Sequence, residues 1–340
     1  MLGFNSWKQR VRKPNSKRLR LMKLRAPAAI EKLEDRVLLY TTSGNAWPNQ
    51  QLITISFVPD GTNLGGATSD LISTFNTKFG SADAWQNQIL KAAQVWAQQT
   101  DINFAVVSDN GAETGSGDYQ QGDPGFGDIR IGGFNFGTSS LAQAYLPPPI
   151  NNYSVAGDIQ FNTGAVFNVG TQHDLFTVAL HEFGHALALY HSSTATATMY
   201  PTYNGIDSAL NADDISGIKN IYSANAARKA DSYDLAASNG TTSAASVVTP
   251  LINTSTKTAV INNLDLTTNT DLDFFKFVVP SGSSTTLKAT VVTEGLSLMN
   301  PKVEILNSAG TVKATATATA TDFDGTSLTA TFTGIAAGQT

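Results

Sequence analysis

Residues 181–191 read HEFGHALALYH and hold three of the four histidines in this chain of 340 residues. On a helix, His181 and His185 lie one turn apart and project from the same face, so both imidazoles can reach one ion. His191 comes six residues after His185, which requires the chain to leave the helix and fold back. Three neutral imidazoles leave a fourth tetrahedral position open, as in zinc sites that catalyse a reaction.

Glu182 lies beside the first of these histidines and need not bind the ion itself. The pattern His-Glu-x-x-His is only a moderate signal, because it also occurs by chance. A second class of zinc site takes its third ligand from a glutamate on a later helix, but the next glutamate here is Glu294. The spacing therefore favours three histidine ligands over that class, and over ordinary core or surface histidines.

The composition limits the other kinds of chemistry. The chain has no cysteine, which excludes disulfides, cysteine-bound zinc, iron–sulfur clusters and thiol nucleophiles. It is 41% hydrophobic and 14% charged, and no stretch approaches the roughly 18 consecutive apolar residues of a spanning helix. We therefore expect a two-domain protein without a transmembrane segment, whose metal sites use histidine, carboxylate or backbone oxygen.

Charge divides the chain into two parts. Residues 1–36 hold 11 of the 22 lysines and arginines against three acidic residues, a balance of +8, while the remainder carries −13. This basic segment is followed by LEDRVLL at 33–39 and resembles the arginine-rich leader of large exported proteins of some bacteria. We interpret residues 1–42 as a basic leader or export segment. The alternative is a disordered arm that binds nucleic acid or anionic lipid.

Residues 43–223 alternate strand and helix patterns. Hydrophobic spacing predicts helices near 84–99 and 175–189. Runs of β-branched and aromatic residues predict strands near 52–57, 103–107, 128–131, 141–146 and 158–161. We expect an α/β (α+β) domain with a mixed sheet.

The composition shifts after this domain. Residues 224–238 are typical of a linker, and residues 239–340 have short β-branched runs at the spacing of a β-sandwich. The strand candidates are 260–261, 274–279, 286–292, 302–306, 313–321 and 328–332. We expect a second, all-β domain over 239–340.

Further motifs accompany the histidines: LAQAYLP at 141–147, GDIQFN at 157–162, ATMYPTY at 197–203 and LNADDISGI at 210–218. Together, over about residues 45–223, they resemble the matrixins, the metzincin zinc endopeptidases that include the matrix metalloproteinases. The resemblance implies a metzincin-type mixed twisted sheet with long helices, and one catalytic Zn²⁺.

The resemblance also implies a role for each residue of the histidine cluster. The zinc ligands would be His181, His185 and His191. Glu182 would be the general base, and Met199 would form the apolar floor under the metal. For Met199 the alternative is an ordinary core methionine.

Substrate contacts follow from the same resemblance. An extended peptide would lie along the edge strand at Leu141 and Ala142. Pro201 and Tyr203 would wall the pocket for the residue after the scissile bond. The acidic pair at 213–214 opens the next predicted helix, where a capping and electrostatic role explains it without catalysis.

Three features depart from the family. Ala188 stands where the family has glycine, at the turn toward the third ligand. Gln143 and Gln160 stand where the family has histidines of a structural zinc, so we predict a single zinc per chain. The cysteine that blocks the family's zinc in the latent form is missing, so latency would need another device.

Calcium is a further expectation. Asp128 and Asp158 match calcium ligands of the family, and hard oxygen donors suit that ion. The alternative is that both are turn carboxylates at strand ends. We expect Ca²⁺, if bound, to affect heat stability more than chemistry.

The C-terminal part resembles the bacterial pre-peptidase C-terminal domain, a β-sandwich often appended to secreted peptidases. The match rests on Asp231, on DLDFFKF at 271–277 and on the turn at 307–310. The sequence stops near the place of that family's final strand, so we expect a truncated sandwich that binds cell-surface or extracellular material.

From these patterns we expect a bacterial metalloprotease, secreted or attached to the cell surface, that hydrolyses proteins outside the cell such as extracellular matrix. The alternatives are a noncatalytic metal-binding adhesion module and a nucleic-acid-binding protein, which the charge of −13 disfavours. We expect the mature protein to begin between Tyr40 and Trp47. A fragment from Ser43 to Ser223 is expected to fold and cleave peptides alone.

Overall fold

The computed structural model describes residues 40–115, 121–138, 140–222, 228, 230–268, 270–319 and 323–340. All of them belong to one compact unit, Leu38–Thr340. Nearly all of the basic arm lies outside the described residues, so its prediction as a leader stays a prediction. Among the helices in the described part of the chain, none is long and apolar enough to cross a membrane.

A five-stranded sheet forms the centre of the first half of this unit. Its strands are β1 (Ile53–Phe57), β2 (Phe104–Val106), β3 (Ile129–Phe134), β4 (Ala142–Ala144) and β5 (Ile159–Asn162). The order across the sheet is β2-β1-β3-β5-β4, and only β4 runs antiparallel to its neighbour. The predicted mixed sheet is confirmed, with β2 at one edge and β4 at the other.

Four helices accompany the sheet: α1 (Leu71–Phe79), α2 (Ala82–Ala97), α3 (Leu175–Ala186) and α4 (Ala212–Tyr222). Ser81 caps α2 by accepting a hydrogen bond from the backbone N–H of Ala84, and Asp174 caps α3 in the same way through Thr177. Both caps satisfy backbone donors that a helix N-terminus leaves unpaired.

The core lies between the sheet and the long helices. The predicted apolar face of α2 is fully buried and consists of Trp85, Ile89, Ala92, Ala93 and Trp96. The indole Nε1 of Trp96 donates to the carbonyl of Leu180 at 2.9 Å, which ties α2 to α3. The buried helix α2 therefore holds α3 in position through this hydrogen bond.

Two local predictions need correction. The second helix ends at Ala186 and not near Leu189, because Ala188 adopts a left-handed conformation with φ of 83°. No strand forms at 260–261, where Val260 is 75% exposed and has no β partner among the described residues. Helix α1 was not predicted, since only Leu71 and Phe75 of its nine residues are buried.

The second half of the unit is built mainly of β-strands. After a short helix α5 (Ser232–Ala236) come the strands β6 (Ser246–Val247), β7 (Phe275–Lys276), β8 (Thr286–Val292), β9 (Lys302–Leu306), β10 (Val312–Thr317) and β11 (Ser327–Thr333). They pair as β6 with β7, β8 with β11 and β9 with β10, and the last two pairs contact each other. The predicted β-rich C-terminal part is confirmed.

This β region contacts the β2 edge of the five-stranded sheet. The N–H of Leu298 donates to the carbonyl of Phe104 at 3.0 Å, and Asn103 Nδ2 donates to the carbonyl of Leu296 at 2.7 Å. Leu298 is 1% exposed and belongs to the hydrophobic core that α2 and α3 share. The β region thus completes a core that starts in the first half of the chain.

We expect Leu298→Ala to lower the free energy of unfolding by about 2–5 kcal/mol, because it leaves a cavity in a shared core. Leu296→Ala is the matched control, since this side chain is 59% exposed and should change stability by less than about 0.5 kcal/mol. Equilibrium unfolding in urea measures both. If Leu298→Ala changed the free energy of unfolding as little as Leu296→Ala does, the β region would fold independently of the shared core.

Candidate metal centre

Helix α3 carries the first two histidines of the cluster near its C-terminal end. His181 and His185 project from one face of α3, as their spacing predicts. The helix stops one residue after His185, and the left-handed Ala188 turns the chain back toward His191. That conformation costs a residue with a Cβ about 1–2 kcal/mol, which other contacts must offset.

The three imidazoles converge on one point. One potential ligand atom from each of His181, His185 and His191 lies within 4.8 Å of the others. The Nε2 atoms of His185 and His191 are 3.2 Å apart. In the part of the chain that the structure describes, this is the only cluster of three or more histidine or acidic side chains with metal-binding geometry.

Backbone carbonyls determine which imidazole nitrogen faces the centre. The Nδ1 of His181 lies 2.8 Å from the carbonyl of Thr198, and the Nδ1 of His185 lies 2.7 Å from the carbonyl of Leu189. A carbonyl only accepts, so both Nδ1 atoms carry the proton and both Nε2 atoms keep a free lone pair. This is the arrangement that orients histidine ligands in metal sites.

The electrostatic environment keeps the imidazoles neutral. Burial lowers the pKa of His185 to about 3, and charge repulsion from His181 adds to this effect. Burial also lowers the pKa values of His181 and His191. Neutral imidazole is the form that binds metal, so protons compete weakly for this site.

The donor set fits zinc. Two nitrogens bound to one tetrahedral zinc at about 2.0–2.1 Å lie about 3.3 Å apart, close to the distance between His185 Nε2 and His191 Nε2. Three imidazoles without thiolates form the ligand set of a catalytic rather than a structural zinc. The predicted cofactor is therefore supported by the geometry of the three ligands.

Glu182 is adjacent to the cluster in sequence and is almost fully buried, at 6% exposure. Burial raises the pKa of its carboxyl to about 8 in the metal-free site. A cation bound at the histidines would lower this pKa again, because opposite charge favours the carboxylate. The protonation of Glu182 therefore depends on whether a cation is bound at the histidines.

Met199 is buried and lies against α3 at Gly184, between His181 and His185. A Cβ added at Gly184 would overlap the sulfur of Met199, so only glycine lets the methionine approach the helix this closely. Asp214 holds the segment in place, because its carboxylate accepts from the backbone N–H groups of Thr198 and Met199 at 2.8 and 3.1 Å.

This contact of Asp214 could not be read from the sequence. A capping and electrostatic role at the helix start explained the acidic pair at 213–214 there. Both side chains are buried, and Asp213 accepts from the hydroxyl of Ser192, next to the third histidine. An acidic pair that is buried at a helix start is unusual, and this burial is invisible in the sequence.

The predicted substrate residues lie on two segments. Ala142 begins the edge strand β4, which contacts α3, and Leu141 precedes it; both are half-buried. Pro201 is exposed, and Tyr203 lines a recess of about 550 Å³ together with Gln172 and residues 204–206. The roles of these residues in substrate binding stay predictions.

The two glutamines at the positions where the resemblance would place histidines bind each other. Gln143 and Gln160 are register partners in the β4–β5 pair, and Gln143 Nε2 donates to Gln160 Oε1 at 2.7 Å. A direct amide contact thus links the two strands at these positions.

From this contact we expect one tightly bound zinc per chain after dialysis against a weak chelator, measured by elemental analysis. The amide pair offers no imidazole nitrogen or thiolate, the ligands that zinc prefers. Gln143→Ala should leave the zinc content unchanged, which provides a control. Two zinc ions per chain would contradict the prediction.

The predicted calcium ligands are engaged in other contacts. The carboxylate of Asp128 accepts from the backbone N–H groups of Thr54 and Gly122 and from the Thr54 hydroxyl. Asp158 accepts from the N–H of Arg130, and burial raises its pKa well above the usual range. Neither aspartate belongs to a metal-binding cluster among the described residues. The calcium site stays a prediction.

Comparison with known proteins shows what part of this chain is similar to. Residues 71–223 match the family model described as matrixin. The chain is 34% identical over 196 residues to the hatching enzyme of Paracentrotus lividus, which covers 56% of the chain and 28% of that protein. It is 33% identical over 139 residues to karilysin of Tannerella forsythia, covering 40% of the chain and 28% of karilysin.

Interstitial collagenase of Bos taurus is similar as well, at 34% identity over 157 residues, which covers 44% of the chain and 30% of the collagenase. The alignments span less than a third of each of these three relatives. The similarity therefore concerns one domain and not whole proteins.

Proposed function

We propose that this chain is a zinc metalloendopeptidase that hydrolyses peptide bonds within extracellular proteins, because residues 71–223 match the family model described as matrixin. The observation that carries the proposal is the convergence of His181, His185 and His191 beside a buried Glu182. A noncatalytic zinc site would need no buried carboxylate next to the ligands.

Each residue has a defined task in the proposed reaction. A zinc ion at the three histidines would supply the Lewis acidity that polarises the scissile carbonyl and acidifies water. Glu182 would accept the proton of the attacking water and pass it to the departing amine. Its place beside the ligands and its burial support this role, because they hold the carboxyl next to the metal and away from bulk water.

The substrate would be held in an extended conformation. Among the residues that the structure describes, β4 pairs only with β5, and its other edge would offer backbone groups to a peptide. The recess beside Tyr203 would take a side chain of that peptide. We assign the C-terminal β region a role in contacting cell-surface or extracellular material, and the protein as a whole to the outside of a bacterial cell.

The alternative function is a noncatalytic metal-binding adhesion module. To separate the two, the purified full chain is incubated with unfolded casein and with a peptide library. We expect cleavage at internal bonds, inhibition by 1,10-phenanthroline and recovery on addition of zinc. A protein that binds one zinc but leaves casein and every library peptide intact would support the adhesion module instead.

A further inference from the structure

We propose that residues 41–47, which we call the N-terminal strap, are a positioning element that holds the zinc ligands His185 and His191 in place. The inference rests on the proposed zinc site and extends it to a segment that contains no ligand. It starts from the loop 187–190, which connects the second histidine with the third.

This loop needs external support. Ala188 adopts φ of 83°, a conformation that costs a residue with a Cβ about 1–2 kcal/mol. One contact ties the loop to the preceding helix: the Leu189 N–H donates to the carbonyl of Gly184 in α3 at 2.9 Å. The position of this loop matters for two histidines. Its Leu189 carbonyl orients His185, and its Tyr190 directly precedes His191.

The strap supplies this support through backbone pairing. Thr42 forms an antiparallel bridge with Leu189. On either side of the bridge, Ser43 N–H donates to the carbonyl of Ala188 at 2.9 Å, and Tyr190 N–H donates to the carbonyl of Thr41 at 2.8 Å. Three consecutive loop residues are thus held by three consecutive strap residues.

The pairing reaches a metal ligand through one carbonyl. Leu189, bridged to the strap, accepts from His185 Nδ1 at 2.7 Å. Hydrogen bonds of this kind fix the orientation of a histidine ligand, and losing one typically weakens metal binding by about 10–100-fold. The strap therefore acts on His185 through Leu189, and on His191 through Tyr190.

Trp47 anchors the strap at its other end. It is 1% exposed, and its Nε1 donates to the carbonyl of Ala186, the last residue of α3, at 2.9 Å. Its own N–H donates to the hydroxyl of Tyr222 at 3.2 Å. A Cβ at Gly157 would overlap the Trp47 ring, so the indole packs closely against the backbone at this glycine.

The strap also restricts where a leader can be removed. The expected start of the mature protein lies between Tyr40 and Trp47, inside or just before the strap. A cut after Thr41 would remove the carbonyl that accepts from Tyr190. We therefore place any processing site on the N-terminal side of Thr41.

The test compares zinc affinity in two matched pairs of full-length variants. Ser43→Pro removes the N–H that donates to the carbonyl of Ala188, while Ser43→Ala keeps this donor. Trp47→Phe removes the indole donor at the strap; Trp85→Phe removes a buried indole donor elsewhere, which binds Asn76. Zinc affinity is measured by competition with a chelating dye, and unfolding of the metal-free protein is followed by circular dichroism.

We expect Ser43→Pro and Trp47→Phe to weaken zinc binding by about 10–100-fold, and both controls to leave it near the wild-type value. The cobalt-substituted strap variants should show a changed visible spectrum, which a loss of stability alone would not produce. If wild type binds zinc tightly and cleaves peptides but the strap variants match their controls, the strap proposal is wrong. Wild type without zinc affinity would overturn the proposed function as well.

Discussion

Glu182→Gln is expected to lower kcat/KM for peptide hydrolysis by about 10²–10⁴-fold, the usual contribution of a general acid–base group. Glutamine keeps the shape of the side chain but cannot take a proton from water. Because Glu182 lies beside the ligands and is not required as one, zinc content should stay at one ion per chain. Peptide cleavage assays and elemental analysis of the same preparation measure the two quantities.

The control for this variant is Glu294→Gln, which removes an exposed carboxylate in the C-terminal β region. It should change neither activity nor zinc content. Loss of zinc together with activity in Glu182→Gln would make Glu182 a metal ligand, and the assignment of a general base would be wrong. Full activity with zinc bound would exclude Glu182 from the reaction.

His191→Ala is expected to abolish activity by the opposite route, through loss of the metal. The Nε2 of His191 lies 3.2 Å from that of His185, and removing it leaves two imidazoles for an ion that needs at least three protein ligands. We expect zinc affinity to fall by more than the roughly 100-fold that the loss of an outer hydrogen-bond partner costs. Chelator competition measures the change.

His173→Ala is the matched control, because His173 is the only histidine outside the cluster. It is half-buried, its Nδ1 lies 3.2 Å from the carbonyl of Val166, and its ring packs on Tyr203. Zinc affinity should be that of wild type. If His173→Ala lost as much zinc as His191→Ala, the three-histidine assignment would fail.

The sequence predicted best where a periodic pattern coincided with burial. Helix α2 was predicted within two residues of each end, since its buried positions repeat at helical spacing. Helix α1 escaped notice because only two of its side chains are buried and the rest are mostly polar. The pair at 260–261 shows the converse error, because β-branched residues form a strand only where a partner strand accepts them.

The three histidines of the proposed zinc site could be picked out from the sequence because metal binding belongs to particular side chains at a particular spacing. Their orientation could not. The groups that orient His181 and His185 are the backbone carbonyls of Thr198 and Leu189, which every residue type possesses and no motif reveals.

By itself, then, the sequence determined the histidine cluster, the neighbouring acid and the change from mixed to mainly β structure along the chain. Only the tertiary structure decided which contacts surround that site: the pairing of Thr42 with Leu189, the hydrogen bond from the Met199 N–H to Asp214, and Leu298 in the shared core. These contacts join segments far apart in sequence. They depend on register and close packing, which no local pattern encodes.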